Sequence, residues 1–292
     1  MSIVFEQVSF SYQPLTKRQR KAGEKQRYAL KNISFELHDK EFLAIAGHTG
    51  SGKSTLVQHL NGLENPTEGR VLWRGEDVAQ RSVATRARED IGVVFQYPEH
   101  QLFAATVYED VAFGPRNLGL GQDDVDARVK EAIASVHLDF DDLKDRSPFE
   151  LSGGQQRRVA FAGVLAMRPS ILVLDEPVAG LDPAPRNDFL AFIDNLHKER
   201  DLTVVMVSHN MNDIARLADR MIVMHEGEIA HIGTPEDIFV NHAAEIREIG
   251  LGIPHAQRLA NELREMGLPL EKKLYLPETL ADELARLLQK EA

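Results

Sequence analysis

The chain has 292 residues, no cysteine, and a net charge of −11 from 34 basic and 45 acidic side chains. That balance argues against nucleic-acid binding along a broad basic face, and the missing thiols exclude disulfides and thiolate metal sites. With 43% hydrophobic and 27% charged residues the mix is globular, and the length suggests about two domains. A reducing compartment is expected. The first residues lack a basic-then-apolar signal, and no uncharged apolar run reaches the ~18 residues of a membrane helix. A soluble chain is expected, and any membrane role would have to come through a partner.

Ile3 to Phe10 and Ile33 to Leu37 read as strands, the second with clean alternation. Between them Pro14 to Arg27 is polar and basic, either a solvated hairpin tip or a contact with a partner or membrane headgroups. Phe42 to Ala46 is a short apolar strand, and Thr55 to Leu60 has good helix formers. Gly47-His48-Thr49-Gly50-Ser51-Gly52-Lys53-Ser54 lies between them. Strand, glycine-rich loop and helix form the context of a P-loop. Gly47, Gly50 and Gly52 leave room for backbone N–H groups to wrap phosphate oxygens, and the helix start adds free N–H groups and a positive dipole end. Lys53 brings a mobile point charge to the β- and γ-phosphates, and the Ser54 hydroxyl can ligate Mg²⁺.

Gly69 to Gly75 reads as a strand, and Ile91 to Phe95 as a buried strand ending at Gln96. Pro98 is expected to keep Tyr97 extended, leaving Tyr97, Pro98, Leu102 and Phe103 as an apolar surface; the alternative tucks Leu102 and Phe103 into the helical subdomain. Asp123 is read as an N-cap, with Val125, Val129, Ala132, Ile133 and Val136 on one helix face. In Leu151-Ser152-Gly153-Gly154-Gln155, Ser152 can cap a helix and the glycines admit an anion. This second phosphate-competent helix start makes sense if it serves a γ-phosphate bound by another subunit. Ile171 to Leu174 is an apolar strand followed by Asp175 and Glu176. At the C-terminal edge of a parallel sheet, Asp175 can hold Mg²⁺ through water and Glu176 can take a proton from the attacking water.

Ala184 to Arg200 is the longest expected helix, and Thr203 to Val207 a buried strand. Met221 to Met224 and Ile229 to Ile232 form a hairpin, then Thr234 caps a helix opened by Pro235. Composition changes from about Asn241. A helix from Pro254 presents Ala256, Leu259, Ala260, Leu263 and Met266 and stops at Gly267; a last one carries Leu280, Leu284, Leu287 and Leu288. Two short stripes cannot bury themselves alone and must pack on the main domain or on another chain.

The P-loop, Gln96, Leu151 to Gln155, Asp175-Glu176, Ala179-Gly180-Leu181-Asp182 and His209 stand in the order and spacing of ABC transporter ATPase subunits, a resemblance covering roughly residues 1–240. Gly47 to Leu56 with Gln58 to Leu63, Phe95 to Phe103 and the tail from Gly250 to Gly267 resemble the ATPases of energy-coupling-factor (ECF) transporters. The His48-Thr49 pair resembles the second of their two paralogous ATPases. The resemblance implies that Gly47, His48, Thr49, Gly50, Ser51, Gly52, Lys53, Ser54 and Thr55 bind ATP. It implies that Gln96 senses Mg²⁺ and the γ-phosphate, and that His209 stabilises the transferring phosphoryl group. Ser152, Gly153, Gly154 and Gln155 would meet the nucleotide of the other subunit, and Asp182 would lie at the dimer seam. Tyr12 would stack on adenine, with Tyr28 as its rival.

The expectation is an α/β P-loop NTPase of the ABC ATPase type. It has a RecA-like, mostly parallel sheet core, an antiparallel β subdomain, a helical subdomain around 102–164, and a small α-rich C-terminal extension over 241–292. Expected cofactors are ATP and Mg²⁺. Expected partners are a paralogous ATPase subunit in a heterodimer, a transmembrane coupling subunit and a substrate-binding membrane subunit, at the cytoplasmic face of the cell membrane; no nucleic-acid partner is expected. The tail would hold the ATPase pair together. A soluble ABC ATPase acting on nucleic acid or ribosomes is the alternative. The single cassette, the roughly hundred residues between Lys53 and Ser152 and the acidic charge weigh against it. A nucleotide-binding regulator without turnover is disfavoured by Glu176 and His209.

Overall fold

The computed structural model describes residues 2–15, 19, 26–271 and 273–291. The basic stretch 14–27 falls mostly outside the described residues. β1 (Ile3–Phe10) and β2 (Leu30–Leu37) pair antiparallel, and β3 (Phe42–Gly47) is buried along its whole length. The glycine-rich loop leads from β3 into α1 (Lys53–Leu60). β4 (Glu68–Trp73) and the short β5 (Glu76–Asp77) complete a four-stranded antiparallel sheet of order β2-β1-β4-β5. α2 (Arg81–Asp90) then delivers the chain to β6 (Ile91–Val94).

A helical block follows: α3 (Val107–Asn117), α4 (Gln122–Ser135), α5 (Phe140–Leu143) and α6 (Gly153–Leu165). α4 begins one residue before Asp123, with Gly121 as its cap. Asp123 is therefore not the N-cap expected of it. As a first-turn acid it still complements the helix dipole. The chain returns through β7 (Ile171–Asp175), α7 (Pro183–Arg200), β8 (Thr203–Val207), α8 (Met211–Leu217), β9 (Arg220–His225) and β10 (Glu228–Gly233).

The larger sheet has the order β10-β9-β3-β8-β7-β6, parallel throughout except for the β9–β10 hairpin. Its five parallel strands read as apolar runs because both faces are covered, whereas the edge strand β10 is only partly buried. In β7, Leu172 and Leu174 pack into the helical block's core, while Ile171 and Val173 face Leu56 and Leu60 of α1. Phe161 of α6 is fully buried and meets Phe189 of α7 edge-on at 5.3 Å. Truncating such a ring costs about 3–5 kcal/mol. This packing fixes the Ser152 helix relative to the sheet.

Beyond β10 run α9 (Pro235–Asn241), α10 (Ala243–Glu248), α11 (His255–Glu265) and α12 (Pro277–Glu291). Thr234 caps α9 by accepting from the Asp237 N–H, as its sequence indicates. Phe239, Ile246, Leu251 and Ile253 share a core with Ala44, Met221 and Val223 of the sheet. The helices α11 and α12 close a satellite core of Ala256, Ala260, Leu270, Leu274 and Leu280. The stripe expected on α11 is only partly covered. Leu259 and Met266 are 46% and 77% exposed, and Leu288 on α12 is 70% exposed. The buried face of α11 runs instead through Ala256, Gln257 and Ala260, rotated toward the small residues that allow close approach.

The turn after β6 also departs from expectation. Tyr97 adopts a left-handed φ of 59° rather than an extended backbone, and a 3-10 turn over Pro98–Gln101 follows at once. The proline keeps its predecessor out of the right-handed helical region, and a left-handed exit satisfies that constraint too. Pro98 and Leu102 are buried, whereas Tyr97 and Phe103 are exposed. Apolar anchors inside thus hold two aromatic rings outside.

Candidate nucleotide site

The P-loop conformation follows from its glycines. Gly52 has φ 104°, and a Cβ there would come 2.7 Å from the Ala29 carbonyl oxygen. Only glycine tolerates both the dihedral and the approach. Lys53 folds back, its Nζ donating to the carbonyls of Gly47 (2.7 Å) and His48 (2.9 Å). Burial pulls the Lys53 pKa below the ordinary lysine range, partly opposed by the charges of Glu176 and Asp175.

An open cavity of about 1060 Å³ spreads from this loop, lined among others by Tyr12, Tyr28, Lys53, Gln96, Asp175 and Glu176. Thr49, Gly50, Gly52, Ser54 and Thr55 also border it. Asp175 ends β7 and accepts from the Ser54 hydroxyl; burial raises its pKa, the Ser54 bond lowers it, and the net shift is upward. Glu176 takes a left-handed φ of 48° just past the strand. Its two carboxylate oxygens are claimed separately. Gln96 Nε2 donates to Oε2 at 3.3 Å, and His209 Nδ1 lies 3.3 Å from Oε1. Side chains from the ends of β6 and β8 therefore converge on the carboxylate at the end of β7 between them, at the edge where ligands bind. The oxygen donors of Ser54, Asp175 and Gln96 form a hard set suited to Mg²⁺.

Both aromatic candidates border this cavity. The Tyr12 hydroxyl bonds to Thr55 Oγ1 (3.0 Å) and donates to Gln58 Oε1 (3.2 Å), while the Tyr28 hydroxyl donates to Glu68 Oε1 at 3.0 Å. His48 meets His225 at 3.3 Å between ring nitrogens, a partner that the sequence did not announce.

Ser152 to Gln155 and Asp182 are not among the residues bordering that cavity. Ser152 and Gln155 make a reciprocal capping box on α6, so the Ser152 helix start is preformed. A Cβ on Gly153 or Gly154 would meet nothing within 4 Å, leaving that face open. Asp182 caps α7 in position but makes no side-chain cap bond. Arg157 is the residue that motif reasoning missed. It is buried, bonds Glu99 through Nε (3.2 Å) and Nη2 (3.3 Å), and donates through Nη1 to the Ala179 carbonyl (3.1 Å).

A P-loop beneath a parallel sheet, an acid pair at the end of the adjoining strand and a glycine-opened helix start facing elsewhere define an ATP-binding cassette ATPase. The family model described as ABC transporter matches residues 30–179. The fold resembles that of cbiO1 from Clostridium perfringens, described as part of the ABC transporter complex cbiONQ, with TM-score 0.72 and 34% identity over 90% of this chain and 98% of that one. It also resembles a dimeric post-hydrolysis structure of the ATP-binding cassette MJ0796 bound to ADP and Pi, with TM-score 0.69 and 30% identity over 80% of this chain and 98% of that one. The energy-coupling factor transporter ATP-binding protein EcfA2 of Clostridium perfringens is 50% identical over 240 residues, 82% of each chain. EcfA2 of Caldanaerobacter subterraneus is 54% identical over 212 residues, 72% of this chain and 74% of its own. The chain belongs to the ABC transporter ATP-hydrolysing subunits and, within them, to the ATP-binding proteins of energy-coupling factor transporters.

Proposed function

We propose that the chain powers an ECF-type importer of a vitamin or trace metal as one half of an ATPase heterodimer. Residues 1–240 act as the nucleotide-binding cassette, with 102–164 as its helical subdomain, and 241–292 as a pairing extension. A transmembrane coupling subunit and a substrate-binding membrane subunit complete the assembly at the cytoplasmic face of the membrane.

The observation that carries this reading is the Glu176 carboxylate, held between Gln96 and His209 at the mouth of the P-loop cavity. Glu176 takes a proton from the attacking water, and its two neighbours fix which oxygen faces that water. Lys53 leaves the Gly47 and His48 carbonyls to meet the β- and γ-phosphates. Mg²⁺, when bound through Ser54 and the Asp175 side, supplies charge neutralisation on those phosphates. Gln96 then links the state of the site to the turn at Pro98–Gln101. Ser152 and its glycines close on the nucleotide of the paralogous subunit, and the reverse contact closes this one. ATP favours the closed pair, and hydrolysis with release favours the open one, since a ligand shifts only states it binds unequally.

Native mass spectrometry of a transporter purified through this chain tests the assembly. One copy of the chain with one paralogous ATPase and membrane subunits is expected. A functional transporter with two copies of this chain and no paralogue overturns the heterodimer.

A further inference from the structure

Away from the nucleotide cavity, three side chains converge where the cassette meets its extension. His231 lies on β10, the edge strand of the larger sheet; His242 and Glu245 lie at the junction of α9 and α10. His231 Nε2 is 2.9 Å from Glu245 Oε2, and His242 Nδ1 is 3.3 Å from the same oxygen. One donor atom of each residue lies within 4.8 Å of the others, and the two rings have centroids 4.3 Å apart. Donors around a tetrahedral zinc, with bonds of about 2.0–2.1 Å, stand about 3.3 Å from one another. The two separations to the Glu245 oxygen already lie near that edge length, and the two imidazole donors are within 4.8 Å of each other.

The backbone builds this convergence. β10 carries one extra residue against β9 between Ile229 and His231, and a bulge of this kind re-aims the neighbouring side chain. His242 ends α9 and opens α10, so Glu245 follows three residues later on the same helical face. The side chains of His231, His242 and Glu245 are 17%, 34% and 57% exposed. The carboxylate faces solvent and offers an ion a way in, while the deepest imidazole is shielded.

Two imidazoles and a carboxylate suit zinc and its first-row neighbours and suit Mg²⁺ or Ca²⁺ poorly. We propose that His231, His242 and Glu245 bind a first-row divalent metal, zinc by preference, with a fourth position left to water. The ion ties β10 to the segment after Asn241 and so fixes the start of the extension on the cassette. The competing account is a hydrogen-bonded cluster in which Glu245 accepts from both imidazoles and no metal is held.

Titration of the metal-stripped full-length chain with zinc chloride, by calorimetry and by elemental analysis after gel filtration, separates the two. One equivalent per chain is expected. Loss of a partner behind a ligand already costs about 10–100-fold in affinity, so His231→Ala and His242→Ala should each weaken binding about 100-fold or more. Glu245→Ala, at the most exposed position, should also weaken it without threatening the fold. His225→Ala, which breaks the histidine pair with His48, should bind zinc like the wild type. Zinc should raise the thermal midpoint of the wild type and not that of His231→Ala, because an ion that binds only the folded state stabilises it. No stoichiometric zinc on the wild type, or equal affinity in wild type and all three site variants, overturns the site.

Discussion

Arg157 of α6 and Glu99 of the turn after Gln96 form an ion pair in which the guanidinium is almost wholly buried and the carboxylate side chain keeps 22% exposure. The same guanidinium holds the Ala179 carbonyl beyond Glu176. One side chain thus braces the Ser152 helix, the Gln96 turn and the loop after the acid pair. Removing one partner of a buried pair costs about 3–5 kcal/mol, and the wetter Glu99 puts this pair near the lower end. Glu99→Gln should therefore lower the denaturation midpoint measurably, and Arg157→Ala more so. Burial acts to raise the Glu99 pKa, but a backbone donor and Arg157 outweigh it and hold it below its ordinary 4.5. A lowered folded-state value means the pair's stabilisation is present above that ordinary value and lost as pH falls through the lowered one. Urea denaturation across that window should show a slope in the wild type that Arg157→Ala flattens.

Glu176→Gln should retain ATP binding and lose steady-state hydrolysis. The substitution keeps shape and the Gln96 and His209 neighbours while removing the proton acceptor. A general base contributes about 10²–10⁴-fold, so a rate within about threefold of wild type in the full complex would show that Glu176 is not the base.

Truncation of the tail should separate two roles. Ending the chain after Pro254 removes α11 and α12, with exposed Leu259, Met266 and Leu288, and leaves Ile246, Leu251 and Ile253 on the sheet. This shorter chain should bind ATP but pair poorly with its partner ATPase in the absence of nucleotide, as read by analytical ultracentrifugation. Ending after Phe239 also strips those three apolar side chains, each worth about 1.5–3 kcal/mol, and should lower the thermal midpoint sharply. Equal pairing with and without α11 and α12 would make them a packing element of this subunit alone.

The exposed rings beside the site should dock a membrane subunit. Tyr97 and Phe103 are 43% and 60% exposed, and Phe103 meets the exposed Phe113 edge-on at 4.9 Å. Because the chain has no cysteine, Tyr97→Cys and Phe103→Cys give single-site probes. Each should cross-link to cysteines placed in cytoplasmic helices of the coupling subunit, with a yield that ATP changes. Cross-links from Asp282→Cys but none from these two would place coupling on another face.

Local chemistry was legible in the sequence wherever a residue's role depends on near neighbours. The P-loop, the Asp175-Glu176 pair and the Ser152 cap are fixed by spacing along one strand or helix, and each lies on the element expected. Long-range partners were not legible. Arg157 and Glu99 are 58 positions apart, and nothing in either neighbourhood marks the other. Leu102 reads as a surface residue beside Phe103, yet the turn at Pro98–Gln101 sends it inward. On α11, period alone placed Leu259 and Met266 with Ala256 and Ala260, but close packing against α12 favoured the smaller side chains. The meeting of His231 with His242 and Glu245 depends on a bulge, which pattern reading does not register.

The placement of Ser152 outside the cavity that Lys53 borders has a genetic consequence. In the proposed heterodimer, each catalytic compartment would draw its P-loop from one gene and its Ser152-type helix from the other. A Lys53 lesion here and a lesion in the partner's corresponding helix start would then strike the same compartment and leave its twin intact. A Lys53 lesion combined with a Ser152 lesion in this one gene would strike both. The cross-gene combination should be milder than the Lys53 and Ser152 combination within this one gene, an inversion of the usual expectation for redundant paralogues.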